Sequence, residues 1–140
     1  MERLLLLCVL VTGPIFAMDI AFKESVCIEP YVDYSYKTCR DLSVEIDGTE
    51  IIIPKNFKTD LASIPRLFWN IISPAESDTM PAAILHDFLY HNTCFYSRQE
   101  TDLIFYSALR KYNVSAFKSN SMYYAVRLFG WRYYQSEQCE

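Results

Sequence analysis

The chain is poor in glycine and in positive charge, and both shortages narrow the classes of protein to which it can belong. Only three of its 140 residues are glycine, and beyond position 17 only Gly48 and Gly130 remain. Two glycines leave no room for a glycine-rich loop in that part of the chain. Lys and Arg number 13 against 17 Asp and Glu, which gives a formal net charge of −4. Because an acidic domain repels a phosphate backbone, we expect no nucleic-acid partner.

The N-terminal segment lacks an apolar run long enough to span a bilayer comfortably. It reads MERLLLLCVLVTGPIFA, with apolar residues 4–11 followed by Gly13 and Pro14, whereas a transmembrane helix needs about 20 apolar residues. A charged start, an apolar centre and a small final residue are typical of a secretory signal peptide. We predict a signal peptide over residues 1–17, with a membrane anchor as the alternative. The mature chain is then secreted or periplasmic, with no transmembrane span after cleavage.

The cysteines lack the short spacings that bind zinc. No two of those beyond residue 17 are two to four residues apart, which argues against a zinc site. Four cysteines lie beyond residue 17. An even number of cysteines in an exported chain predicts disulfides, here two, for which three pairings are possible. We favour Cys27–Cys39, because these residues flank a predicted strand pair, and Cys94–Cys139 in the helical half.

No internal repeat or linker divides the rest of the chain, so we predict a single α+β domain over residues 18–140. Residues 20–53 show the alternation of strands, clearest in LSVEI and EIII around Asp47-Gly48, which indicates a hairpin. Helical patterns follow, with Pro81 in a first turn and with Ser97 and Glu100 forming a capping box. We predict N-terminal antiparallel β-hairpins followed by three to four helices. The helical segments are residues 65–72, 82–90, the segment after Ser97, and 115–134.

The stretch AAILHDFLYHN holds the main candidates for chemistry. His86 and Tyr90 are four residues apart and share one face of the helix, whereas Asp87 points to a different neighbour. Histidine can act as a general base near neutral pH if a partner orients its other ring nitrogen. Asp102 lies in an otherwise apolar stretch of the next helix, and an antiparallel helix pair would bring it to His86. His91 has no visible partner and is set aside.

Two other carboxylates suit a metal ion. Asp87 and Asp60 supply the oxygen ligands that calcium prefers. The same residues also have structural interpretations. A buried His–Asp pair can serve only to fix helix packing, and Asp60 can bond the amides of its own loop. The pattern of residue types leaves both interpretations open.

Residues 42–132 contain two specific motifs, TDLASIPR and HDFLY, followed by SRQETDLIFYSAL. In these motifs the chain resembles a family of small phage and bacterial domains of unknown function. The resemblance implies a compact exported or phage-linked domain and supplies no activity.

HDFLYHN followed by SRQETDLIFYSAL is also similar to the core of the secreted phospholipase A₂ superfamily, especially its bacterial and fungal branch. That resemblance implies that His86 draws a proton from a water molecule and that Asp102 orients it with support from Tyr90. It also implies that Asp87 binds calcium, and it matches Asp60 to an acidic residue before the calcium loop. Ala83 stands where the superfamily usually has cysteine, and the glycine-rich calcium loop is missing.

Three functions are compatible with these patterns. The first is a calcium-dependent, phospholipase A₂-like ester hydrolase that acts on phospholipid at a membrane surface. The second is a non-enzymatic phage-derived or cell-envelope interaction protein, for which the aromatic residues Trp131, Tyr133 and Tyr134 would form a contact patch. The third is a hydrolase that acts on another envelope polymer.

Overall fold

Strands precede helices in the computed structural model, which describes residues 14, 17–33, 35–61 and 77–135. The strands are β1 (Ile20–Phe22), β2 (Ile28–Pro30), β3 (Tyr36–Thr38), β4 (Leu42–Ile46), β5 (Thr49–Ile53) and β6 (Lys58–Thr59). The helices are α1 (Met80–His91), α2 (Arg98–Lys111) and α3 (Ala116–Phe129), and a 3₁₀ turn, Gly130–Arg132, follows α3. This confirms the predicted α+β class. The predicted signal peptide and the helix predicted over residues 65–72 lie outside the described residues, apart from residues 14 and 17.

Two antiparallel three-stranded sheets form the N-terminal half, in the strand orders β1-β4-β5 and β2-β3-β6. The predicted hairpin is β4–β5, in which Leu42 pairs with Ile53 and Ile46 with Thr49. Its turn residues Asp47 and Gly48 have φ angles of 46° and 83°, as a type I′ turn requires. Alternate residues of β4 are buried, so one face of this sheet belongs to the core.

The start of the predicted strand region, IAFKESVCIE, divides between the two sheets. β1 pairs with β4, which follows it by some twenty residues, while β2 pairs with β3. The disulfide Cys27–Cys39 closes the β2–β3 hairpin with a Cα–Cα distance of 5.5 Å, as predicted. Cys94 is disulfide-bonded, but Cys139 lies outside the described residues, so the predicted pair between them stays a prediction.

The helices begin where their caps predict. Ser97 and Glu100 form a complete capping box at the start of α2, and Pro81 lies in the first turn of α1. α3 ends at Phe129 rather than at the predicted Tyr134, because the chain tightens into the 3₁₀ turn at Gly130. Arg98 of α2 donates to the carbonyls of Val126 and Arg127, which satisfies acceptors that a helix end leaves open.

A single hydrophobic core joins the first sheet to the helices. Its buried residues come from β1, β4, β5 and all three helices. α1 and α2 pack against each other as the predicted antiparallel pair. Within the described ranges no helix is both long and apolar enough to cross a membrane.

Candidate functional site

His86 lies in the middle of α1 and is fully buried. Its ring packs between Tyr90, with the centroids 4.0 Å apart, and Phe105 of α2, with the centroids 4.6 Å apart. His86 Nε2 is 2.7 Å from Asp102 Oδ1. The geometry thus brings together the histidine and the carboxylate that the sequence predicted as partners.

Asp102 is the centre of a buried hydrogen-bond network that links the three helices. Its Oδ1 also accepts a hydrogen bond of 2.6 Å from the Tyr90 hydroxyl, and its Oδ2 accepts one of 2.8 Å from Arg127 Nη1. Arg98 Nη1 lies 3.7 Å from the same Oδ2. The Asp102 side chain is itself 0% exposed, so these donors replace the water that a free carboxylate would bind.

The network fixes the ionisation of Asp102 and the direction of its bond with His86. Burial alone raises the pKa of Asp102, but the hydrogen bond and charge of His86, together with the bonds from Tyr90 and Arg127, lower it below its ordinary value. Burial and the Asp102 charge raise the pKa of Tyr90, which keeps its hydroxyl protonated. Because an ionised carboxylate can only accept, His86 Nε2 carries the hydrogen of their bond.

In the neutral form of the ring, the other nitrogen of His86 then presents a lone pair. Nδ1 is buried and has no hydrogen-bond partner within the part of the chain that the structure describes. Burial of a polar atom without a partner is costly, so such an atom requires an explanation, of which a catalytic role is one. An oriented imidazole with a free lone pair has the chemistry of a general base.

Two residues that complete this network were missed as site residues by sequence reasoning. Arg127 lies 25 residues after Asp102, on a helix whose pattern showed only an inner apolar face, so no spacing rule connected the two. Gly130 lies against Tyr90. A Cβ at Gly130 would come within 2.6 Å of the Tyr90 hydroxyl oxygen. Glycine at this position therefore leaves room for Tyr90 to reach Asp102.

Asp87, the next residue after His86, faces a separate cavity. The cavity has a volume of about 240 Å³ and is also lined by Asp60, which directly follows β6. Its other lining residues are Ser35, Lys58, Thr59 and His91. The structure thus brings Asp87 and Asp60 to one cavity, as the sequence predicted, and His86 is not among the residues that line it.

The carboxylate of Asp87 is only partly satisfied. Its side chain is 8% exposed, and its Oδ2 finds no hydrogen-bond partner among residues 17–33, 35–61 and 77–135. Burial raises the pKa of Asp87; a hydrogen bond from Thr59 and the charge of His91 oppose the rise, and the charge of Asp60 adds to it. Asp87 is thus a buried acid that lacks the set of donors found around Asp102.

His91, which was set aside as a candidate, also lines this cavity. Its Nδ1 lies 2.8 Å from the backbone oxygen of Asp87 and 3.6 Å from Asp87 Oδ1. Its ring contacts Phe57 edge to face, with the centroids 6.0 Å apart. The i, i+4 spacing of Asp87 and His91 was the available signal.

The donors of the cavity are of the right kind for a hard cation, but few of them converge. Two carboxylates and the hydroxyls of Ser35 and Thr59 are oxygen ligands of the type that calcium prefers. In the described part of the chain, however, no three His, Cys, Asp or Glu side chains are grouped to hold a metal ion. The unpartnered Asp87 Oδ2 is the atom that such an ion would satisfy most directly.

Comparison with known proteins places the chain in a family. Residues 36–126, more than half of the chain, match the family described as "Protein of unknown function (DUF1353)", and the chain belongs to that family. The "Uncharacterized protein y4jT" of Sinorhizobium fredii (strain NBRC 101917 / NGR234) is 33% identical over 85 residues, which cover 60% of this chain and 25% of that protein. The chain thus spans about a quarter of the length of this relative. No solved structure matches the chain.

Proposed function

We propose that this member of the DUF1353 family is a hydrolase of phospholipid esters in which His86 is the general base. One observation carries the proposal. His86 Nε2 is bonded at 2.7 Å to a fully buried carboxylate, while its Nδ1 has no hydrogen-bond partner among the described residues. An imidazole that is oriented through one ring nitrogen and unbonded at the other is the arrangement that activates a nucleophile.

The proposed reaction uses His86 twice. Nδ1 accepts a proton from a water molecule while the water oxygen attacks the ester carbonyl carbon, and the resulting imidazolium returns the proton to the leaving alkoxide. Asp102 stabilises the imidazolium through the Nε2 hydrogen bond. Tyr90 and Arg127, bonded to the two oxygens of Asp102 at 2.6 and 2.8 Å, keep that carboxylate in place. Steps of this kind contribute about 10²–10⁴-fold to a rate.

Calcium belongs to this proposal as the cation that Asp87 and Asp60 would hold. The fit rests on the donor types and on Asp87 Oδ2, which has no partner in the part of the chain that the structure describes and lies at a cavity that Asp60 also lines. When bound, calcium would polarise the ester carbonyl and stabilise its developing negative charge. Without a cation, Asp87 and Asp60 repel each other across the cavity.

Export is part of the same proposal. The pattern of residues 1–17 is that of a signal peptide, and disulfides such as Cys27–Cys39 persist mainly in oxidising compartments. A secreted or periplasmic location would give the protein access to envelope phospholipid.

The test is the release of fatty acid from mixed phospholipid liposomes by the purified protein in the presence of calcium. We expect the wild type to release fatty acid and His86→Gln to lose at least about 10²-fold in rate, with an unchanged circular dichroism spectrum. Glu29→Gln, an exposed carboxylate on β2, is the control and should keep the wild-type rate. No release by the wild type, or equal rates for the wild type and His86→Gln, would exclude the proposed role.

A second candidate function follows from the burial of the same network. His86, Tyr90 and Asp102 are each 0% exposed, and Asp102 joins three helices as a purely structural ion cluster would. In this alternative the protein is a non-enzymatic envelope interaction protein. Asp102→Asn would then lower the stability of the fold. Neither the wild type nor this variant would release fatty acid from liposomes, and neither would hydrolyse cell-wall material in zymography or any other envelope polymer.

A further inference from the structure

The outer face of α3 carries large apolar side chains that are exposed near both of its ends. Phe117 is 65% exposed and Leu128 is 66% exposed, and their separation of eleven residues places them on the same side of the helix, about 16 Å apart. Half-buried Tyr124 lies between them on that side. The 3₁₀ turn continues the surface with Trp131, which is 60% exposed. We call Phe117, Tyr124, Leu128 and Trp131 the α3 outer face.

The chain around this face is strongly basic, although the protein is acidic overall. From residue 103 to residue 136 there is no Asp or Glu, whereas the stretch holds five of the 13 basic residues of the chain. They are Arg110, Lys111, Lys118, Arg127 and Arg132. Arg127 is paired with Asp102, but Arg110 and Lys111 are exposed just before α3, and Arg132 is exposed just after it. Positive charge thus borders the outer face at both ends.

Trp131 and Arg132 form the most specific part of the surface. The Arg132 guanidinium carbon lies 5.2 Å from the centroid of the Trp131 ring, and Tyr133 beside them is 43% exposed. Tryptophan, tyrosine and arginine together are typical of protein surfaces at the boundary between lipid and water. A helix with exposed Phe and Leu and bordering cations is typical of segments that lie flat on a membrane.

We propose that the α3 outer face docks on an anionic lipid surface, with the helix parallel to that surface. The apolar side chains would enter the headgroup region while Arg110, Lys111 and Arg132 contact lipid phosphates. A second copy of the chain fits this face less well, because two copies would oppose their basic ends. An anionic lipid supplies both the apolar layer and the complementary charge.

The docking proposal rests on the proposed function and extends it, because α3 also supplies Arg127, which bonds to Asp102. Docking through α3 would therefore bring the His86 network close to the lipid. Membrane binding nevertheless needs no catalysis. It can be measured on His86→Gln, so that failure of the docking proposal and failure of the hydrolase proposal are distinguishable.

The test is co-sedimentation of the full chain with vesicles of phosphatidylcholine and phosphatidylglycerol, compared with vesicles of phosphatidylcholine alone. We expect tighter binding to the mixed vesicles, and weaker binding as salt rises from about 0.1 M to about 1 M, since the screening length falls from about 10 Å to about 3 Å. Leu128→Glu and Phe117→Glu should each weaken binding about tenfold or more. Leu128→Ser should weaken it less, because it adds no negative charge.

Ile52→Glu is the matched control, since Ile52 is 56% exposed on β5, outside the α3 outer face. Ile52→Glu should bind vesicles like the wild type. The apolar N-terminal segment is common to all variants, so that segment cannot cause a difference in binding between them. Circular dichroism confirms that each variant is folded. Equal binding by Leu128→Glu and Ile52→Glu, or no preference for anionic vesicles, would overturn the proposal. So would a wild-type dimer that Leu128→Glu dissociates without any vesicle binding, which would assign the face to a second copy.

Discussion

His86 and Asp87 are neighbours in the chain, yet they occupy opposite environments. His86 faces α2 and α3, where it bonds to the carboxylate of Asp102. That carboxylate accepts three hydrogen bonds of 2.6–2.8 Å. The Asp87 side faces β6 and a cavity, where a buried carboxylate oxygen has no partner among the described residues. Consecutive residues of a helix are rotated by about 100°. This rotation is enough to direct His86 towards the well-bonded carboxylate of Asp102 and Asp87 towards the cavity. Conservative changes on the two sides should therefore have opposite effects on stability.

The largest effect is expected on the His86 side, from Asp102→Asn. The substitution removes the negative charge but leaves Arg127, His86 and Tyr90 directed at the same position. Breaking a buried ion pair in this way costs about 3–5 kcal/mol of unfolding free energy, which urea denaturation measures. Glu29→Gln breaks the exposed Glu29–Lys37 pair and should cost less than about 1 kcal/mol. If both variants lost the same stability, the contrast between a buried network and a surface pair would be wrong.

A smaller loss is expected from Gly130→Ala. The new methyl group would meet the Tyr90 hydroxyl oxygen at 2.6 Å, so Tyr90 must move away from Asp102, at a cost of about 1–3 kcal/mol. Tyr90→Phe removes the hydroxyl oxygen with which the new methyl group would clash. In the Tyr90→Phe background, Gly130→Ala should therefore lower the unfolding free energy by less. Strictly additive losses in the double variant would mean that Gly130 acts on something other than Tyr90.

The smallest effect, and the one of opposite sign, is expected on the Asp87 side. Asp87→Asn replaces a buried charge that lacks a full set of donors by a neutral group of the same shape. We expect the unfolding free energy at pH 7, without added calcium, to rise by about 1 kcal/mol. A loss comparable to that of Asp102→Asn would show that Asp87 is as well satisfied as Asp102.

The pH dependence of stability should separate the same two carboxylates. The folded-state pKa of Asp102 is lowered, so its stabilisation is present above the unfolded value of about 3.9 and is lost as the pH falls through the folded pKa. The folded-state pKa of Asp87 is raised, so its cost is present at neutral pH, declines as the pH falls below the folded pKa and is gone below the unfolded value of about 3.9. Plots of unfolding free energy against pH should therefore show Asp87→Asn converging on the wild type at higher pH than Asp102→Asn does.

Local signals in the sequence predicted much of this arrangement. The spacing of His86 and Tyr90, the capping box at Ser97 and the turn at Asp47-Gly48 each have a short-range physical cause, and each is confirmed in the structure. The same signals placed Asp102 on a helix that packs against α1. One hydrogen bond across that pair then defined the core of the site.

The parts that sequence could not supply depend on tertiary contacts. Arg127 reaches Asp102 from a third helix, and nothing in its own segment distinguishes it from a solvent-exposed arginine. His91 was set aside although its i, i+4 partner, the Asp87 backbone oxygen, lies on the same helix; only its contact with Phe57 depends on the packing of α1 against the segment before β6. The pairing of β1 with β4 likewise depends on which hydrophobic faces meet, not on the order of the strands.

The most direct measurement of the central claim is the tautomer of His86, read from its ring nitrogen-15 chemical shifts at about pH 8, where an ordinary histidine is neutral. The bond to Asp102 predicts a hydrogen on Nε2 and an unprotonated Nδ1, with the Nε2 hydrogen far downfield in the proton spectrum and displaced in Asp102→Asn. A hydrogen on Nδ1 would contradict the claim, because that nitrogen would then have no lone pair to accept a proton from a water molecule.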